Sequence, residues 1–300
     1  MNLLVENFKS IAELTSTLKE RKNNGVMEGE TSSSTKGSKD WYGTDSYEEA
    51  SELMQTGYKD ILPQIKNGIA KSVKLIPKTF SLADMRKPRN MPIGFIPNVP
   101  NSILNLPDSM IDIKITPQKR KTISIFYVMS GHCGQRAELW IKAGICLLTA
   151  IKIIERMGIS VKIDASFYCG AGSKDIVMGS VCVKHYGQPL DIQKLCFPLA
   201  NPSMFRRIGF KFLETYPGLT DSRFSGGYGR GFETCVDEVK SKVETDKVFV
   251  LYAQWIEKHS FKVEDILSYL KFNNEKEQKE KGKRNKDGTT DDPKITDDEW

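Results

Sequence analysis

Cysteine is scarce in this sequence, with six in 300 residues and no pair at CxxC spacing. That scarcity excludes a disulfide-built scaffold and predicts reduced thiols in a cytoplasmic compartment. No run of 18 apolar residues occurs, so no transmembrane helix is predicted and no membrane partner is expected. The opening MNLLVENFKS lacks a basic n-region and a long apolar core, so it does not read as a secretory signal. What is present is ordinary for a globular chain: 39% hydrophobic and 27% charged, enough for one large domain or two small ones.

The formal net charge of +6 is unevenly placed. Residues 66–121 carry eleven Lys/Arg against Asp84, Asp108 and Asp112, a surplus larger than that of the whole chain, whereas 41–65 is acidic. Such a segment permits an acidic partner, nucleic acid included, and equally describes a basic surface on a loop-rich stretch.

Apolar positions Leu3, Leu4, Phe8, Ile11, Leu14 and Leu18 follow helical spacing and predict an amphipathic helical arm over 1–20. Residues 21–40 are rich in Gly, Ser and Thr and predict a flexible linker. Ser46 with Glu49 three residues later is a capping box that opens a helix closed by Gly57. A second helix is expected over 60–75. Residues 77–117 hold seven of the thirteen prolines, so the rest of 41–121 is expected to wrap over a surface without regular elements.

The strongest pattern lies in 122–272. Ile123–Met129 is an apolar, β-rich run expected to be covered on both faces. A long apolar helix over 136–157, ended by Gly158, and a strand over 159–167 complete a parallel crossover unit. The short loop CGAGSKD requires the next strand to return antiparallel. Asp191 caps a short helix, and Asn201 followed by Pro202 opens a longer one running to Tyr216. A strand at 248–253 and helices near 254–259 and 263–272 finish the domain. The charged tail 273–300 is expected to be disordered.

Several strings in this order resemble a family of uncharacterised proteins from double-stranded DNA bacteriophages. They are ERMG at Glu155–Gly158, PLD at Pro189–Asp191 and PSMFRR at Pro202–Arg207. SYEEA at Ser46–Ala50 with Gly57, LPDSM at Leu106–Met110 and GYG at Gly227–Gly229 extend the resemblance over about 41–270. The order of elements is also similar to a von Willebrand factor A domain. That resemblance implies a three-layer α/β fold: a mostly parallel central sheet with an antiparallel edge hairpin, here with an N-terminal helical and irregular extension. It also implies a metal-dependent adhesion site of Asp-x-Ser-x-Ser form after the first strand, supplying hard oxygen ligands. The matching positions here are Val128, Ser130 and His132, and the strand at 248–253 leads into Gln254 instead of an acid. The site is therefore read as degenerate, without metal or cofactor.

Three constellations are candidates for chemistry. Ser130, His132 and Cys133 occupy the loop after the central strand, where open α/β sheets bind ligands. Cys133 beside a helix N-terminus, with His132 or His185 as base, is the enzymatic alternative. Cys133, Cys169, His132 and His185 are a weaker zinc set, because their sequence separations lack the close pairs of zinc sites. Arg206 and Arg207 fall in the first turn of a helix, where the dipole disfavours cations, and point to an acidic partner or an internal carboxylate. Arg223, Tyr228 and Arg230 lie in a Gly-rich loop whose chemistry suits single-stranded nucleic acid as well as plain loop closure. The preferred expectation is a protein-binding or assembly module, not an enzyme, whose partners include other phage proteins. It would act in the host cytoplasm or in the virion. The alternative is a nucleic-acid-binding accessory factor using 66–121 and 223–232.

Overall fold

The apolar run from Ile123 lies at the centre of the main sheet, because a strand without polar alternation needs cover on both faces. The structure is a computed structural model that describes residues 2–24, 38–72, 87–114, 121–132, 134–171, 175–217, 239–245 and 247–270. The chain opens with β1 (Asn2–Phe8), α1 (Ile11–Glu20), α2 (Lys39–Tyr42), α3 (Tyr47–Thr56) and α4 (Leu62–Ser72). A small unit follows, made of β2 (Lys87–Met91), β3 (Ile96–Pro97), α5 (Val99–Ile103) and β4 (Met110–Lys114). Next come β5 (Thr122–Val128), α6 (Ala137–Arg156), β6 (Ser160–Ala171), β7 (Asp175–Lys184) and α7 (Ile192–Ala200). A π-helical turn (Met204–Gly209) runs into α8 (Phe210–Thr215), and β8 (Val248–Tyr252) leads into α9 (Ala253–Lys258). Helical residues also occupy 239–243 and 263–270.

The main sheet has the order β1-β7-β6-β5-β8. Pairing is parallel between β5 and β6, β5 and β8, and β1 and β7, and antiparallel only between β6 and β7. Ile125, Tyr127, Ile163, Phe167 and Leu251 turn one face of this sheet toward the main core, which includes α6. Helix α6 is buried nearly all round, including Trp140, Ala143, Leu147 and Ile151, because the sheet lies on one side and α4 and α7 cover the other. On the opposite face Phe126, Val128, Tyr168, Met178 and Val250 cluster with Val239 of the 239–243 helix. The result is a three-layer α/β fold with a mostly parallel sheet, as the element order predicts.

Three expectations need correction. Residues 2–8 are a strand, not the start of a helical arm: β1 joins the main sheet beside β7, with Phe8 opposite Val181. Leu14 and Leu18 of α1 are buried in the main core, so the N-terminal segment belongs to the domain. The helix starts later because Ser10 accepts the Glu13 backbone N–H at 3.2 Å and caps it there. The described part of the proline-rich stretch, 87–114, is regular, forming an antiparallel sheet of order β2-β4-β3. Its prolines tolerate this because Pro88 and Pro97 sit on edge strands and Pro100 in the first turn of α5. The helix expected from Pro202 begins as the π-helical turn. The linker residues 25–37 and the tail 271–300 lie outside the described residues.

Candidate functional site

The loop after β5 is fastened to its neighbour strand before it reaches its exposed tip. Ser130 is buried; its Oγ donates to the Tyr168 carbonyl at 3.0 Å and accepts the Tyr168 N–H at 2.6 Å. Met129 N–H adds a bond to Ser166 O at 2.7 Å. Both functions of the Ser130 hydroxyl are thus consumed in extending the β5–β6 ladder, and it serves structure. A Cβ built on Gly131 would lie 2.1 Å from Gln135 Oε1, 2.8 Å from the Trp140 ring and 2.9 Å from Gln254 Nε2, so a side chain there would have to displace the amide pair and press on the Trp140 ring. His132 is exposed, and its Nδ1 accepts the Gly134 N–H at 3.1 Å. Cys133 lies outside the described residues.

Across the mouth of the sheet, Gln254 Nε2 in the first turn of α9 donates to Gln135 Oε1 at 2.7 Å. The end of the central strands is therefore bridged by two amides, where a cation site would need carboxylates. Gln254 Oε1 and Trp140 Nε1 are both buried without a hydrogen-bond partner, one an acceptor and one a donor. Among the described residues, no group of three or more His, Cys, Asp or Glu side chains is placed to hold a metal ion.

Arg206 and Arg207 do not face solvent. Arg206 is 1% exposed and Arg207 fully buried. The Arg206 guanidinium lies between two indoles, 3.7 Å from the Trp41 ring centroid and 4.3 Å from that of Trp140. It donates to the Trp41 carbonyl, and to the Gln135 carbonyl at 2.5 Å. Arg207 stacks 3.9 Å over Tyr42 and donates to the carbonyls of Thr44 at 3.0 Å and Asp45 at 3.3 Å. Burial lowers the Arg207 pKa from its ordinary value, yet a guanidinium stays protonated throughout the working range. Aromatic faces and backbone carbonyls thus hold both guanidinia, and the carboxylates of Glu48, Glu49 and Asp45 act on Arg207 through space. Together with Ser203 Oγ, which donates to Tyr42 O at 2.6 Å, the pair rivets segment 41–45 to the core.

His185 is separated from the loop. It sits beyond the end of β7, beside Lys9, whose carbonyl lies 3.2 Å from Nε2. Lys184 pairs with Ile163, whereas Ser130 meets Tyr168, five residues further along β6 and roughly 16 Å away at strand rise. His185 therefore cannot share a metal with His132. Beside it, the Cys182 thiol is pushed up to about 11, by burial first and Asp164 second, which keeps it protonated. The Cys169 side chain and the residues Arg223, Tyr228 and Arg230 lie outside what is described.

Sequence reasoning missed Trp41, Trp140, Gln135 and the buried ion pair of Lys184 with Glu155 at 2.5 Å. The signal for the first two was present: adjacent arginines in an otherwise apolar helix must find aromatic or carbonyl partners once buried. It also missed a cleft of about 430 Å³ beside the α3–α4 turn, walled by Lys39, Glu49, Tyr58 and Asp60.

A family model described as a domain of unknown function, DUF7192, matches residues 2–274. The chain belongs to this family. No curated protein and no solved structure matches it. The DUF7192 match takes in β1 and the small β2–β4 unit as well as the main sheet, in agreement with an N-terminal segment built into the domain. Within the family region, no described helix is long and apolar enough to cross a membrane.

Proposed function

We propose that this DUF7192 chain is a cytoplasmic protein-binding or assembly module of bacteriophage type. Its core is von Willebrand A-like, and its loop 130–136 binds without a metal ion. Support for the fold reading is the parallel core β6-β5-β8 with β7 returning antiparallel beside β6; β1 then pairs parallel with β7, so the returning strand is internal and not the edge hairpin that the resemblance implies. The observation that carries the binding reading is the Gln135–Gln254 amide bridge at the ends of the central strands, beside a Ser130 already spent on Tyr168. Ligands of open α/β sheets gather at such strand ends. A mouth bridged by two amides suits hydrogen bonding to a polypeptide better than divalent-cation chemistry.

A photo-crosslinking amino acid at His132, in the full chain expressed in host cells, tests this. The expected result is a discrete protein adduct that is lost when the label moves to the far end of the sheet at Tyr186. Adducts to nucleic acid alone would favour the accessory-factor reading, which the basic surplus of 66–121 supports. That alternative further requires affinity that falls steeply with salt, with a slope of about −0.7 per phosphate contact on single strands.

A further inference from the structure

The β2–β4 unit leaves its apolar side chains in the open. Of the eleven exposed large apolar residues among the described positions, eight lie between Met91 and Leu106. Ile93 and Phe95 are 84% and 83% exposed, Ile103 75% and Leu104 67%. Among the described residues, none of the unit belongs to either core cluster, and its strands pair only with one another. With strands of five, two and five residues and one short helix, the unit falls below the roughly 40 residues under which disulfides, metals or association with another surface are usually needed.

Two further facts identify that surface. With a fully exposed large side chain presenting about 150–250 Å², the eight residues offer on the order of 1,000 Å². An exposed apolar area of that order is comparable with the roughly 800 Å² per partner of a stable interface. The second fact is charge. Residues 90–107 contain no Lys, Arg, Asp, Glu or His, although they sit inside the most basic segment of the chain. Loss of charge is the mark of the fully buried centre of an interface, of the homodimer kind above all. A basic face would repel its own copy; this one carries no charge to repel.

We infer that residues 87–114 form a dimerisation arm whose partner is a second copy of this chain. The two arms meet through the same charge-free face about a two-fold axis, as isologous contacts do. This inference is independent of the loop at 130–136, and each has its own experiment.

Sedimentation equilibrium of the full chain is the test. The wild type at about 10 μM is expected at twice the 33.9 kDa chain mass. The variant Ile93→Ser/Phe95→Ser/Ile103→Ser is expected at the single-chain mass, with the melting temperature of its main transition retained because the changed side chains touch no core residue. A second variant, Phe95→Lys, places like charges at the two-fold contact and is expected to raise the dissociation constant at least tenfold. A wild type that stays monomeric at 100 μM would overturn the inference, as would a triple variant that stays dimeric. Monomeric wild type that pellets with vesicles of phosphatidylcholine and phosphatidylserine, while the triple variant does not, would also overturn it and assign the arm to a lipid surface.

Discussion

Two adjacent arginines in the middle of an apolar segment present a severe desolvation problem, and the chain solves it with rings and carbonyls. Arg206 fills the gap between Trp41 and Trp140, where a desolvated cation–π contact is worth about 2 kcal/mol. Its donors bond the partly buried carbonyls of Trp41 and Gln135, and a hydrogen bond to a charged group is worth about 1.5–3 kcal/mol. Arg206→Ala is therefore expected to destabilise the fold by about 3–5 kcal/mol in a denaturant titration. Arg206→Lys recovers little of this, because an ammonium cannot stack flat between two indoles. A surface arginine awaiting an acidic partner would cost under about 0.5 kcal/mol in the same assay, so a neutral Arg206→Ala would refute the rivet. The position of these cations on a helix was legible in the sequence. Their direction was not, because it depends on the π-helical turn, which has no composition signature. Ser130 was misread for a related reason: its place after the strand was visible, whereas the Tyr168 backbone that consumes its hydroxyl lies 38 residues away.

Elements with a uniform apolar pattern or a clear cap follow from the sequence, short β8 and α9 included, whereas β1 and the β2–β4 unit do not. The strand–helix–strand unit β5–α6–β6, the antiparallel return of β7 and the caps at Ser46 and Asp191 all follow from apolar period and turn chemistry. By contrast, MNLLVENF fits a helical stripe and a strand about equally over so few residues, and only pairing with β7 decides for the strand. The proline-rich unit was read as irregular because prolines were counted without asking which strands would be edges. Packing between elements was equally invisible. In α6, a Cβ on Gly144 would lie 2.3 Å from Ala200 Cβ and 2.5 Å from the Leu199 carbonyl, so α6 and α7 touch backbone to backbone there. In an open helix interior, Gly→Ala gains up to about 1 kcal/mol. Here the sign reverses. Gly144→Ala is expected to lower stability by about 1–3 kcal/mol through overpacking, read as a lower melting temperature. An unchanged or higher value would mean that the two helices are further apart than described.

At the scale of the whole molecule, the N-terminal 24 residues decide whether the chain is a core with an attached arm or one continuous domain. Strand β1 covers the edge of β7 along its length, from Asn2 opposite Asp175 to Phe8 opposite Val181. Phe8 sets its ring 6.0 Å from Phe212, Leu14 and Leu18 are buried in the main core, and Asn24 donates to the carbonyls of Leu213 and Tyr216 at the end of α8. Each fully buried large apolar side chain contributes about 1.5–3 kcal/mol, so these three alone contribute on the order of 5–9 kcal/mol. That is comparable with the entire stability of a typical domain, about 5–15 kcal/mol. Their removal would also bare the backbone of β7 as an unprotected edge, a template for aggregation. A chain beginning at residue 25 is therefore expected to lose its cooperative thermal transition or to aggregate, whereas Leu4→Ser, at a partly exposed β1 position, should leave the transition within a few degrees. If the truncated chain melted at the full-length temperature, β1 and α1 would be a detachable arm after all, and the five-stranded sheet would reduce to four.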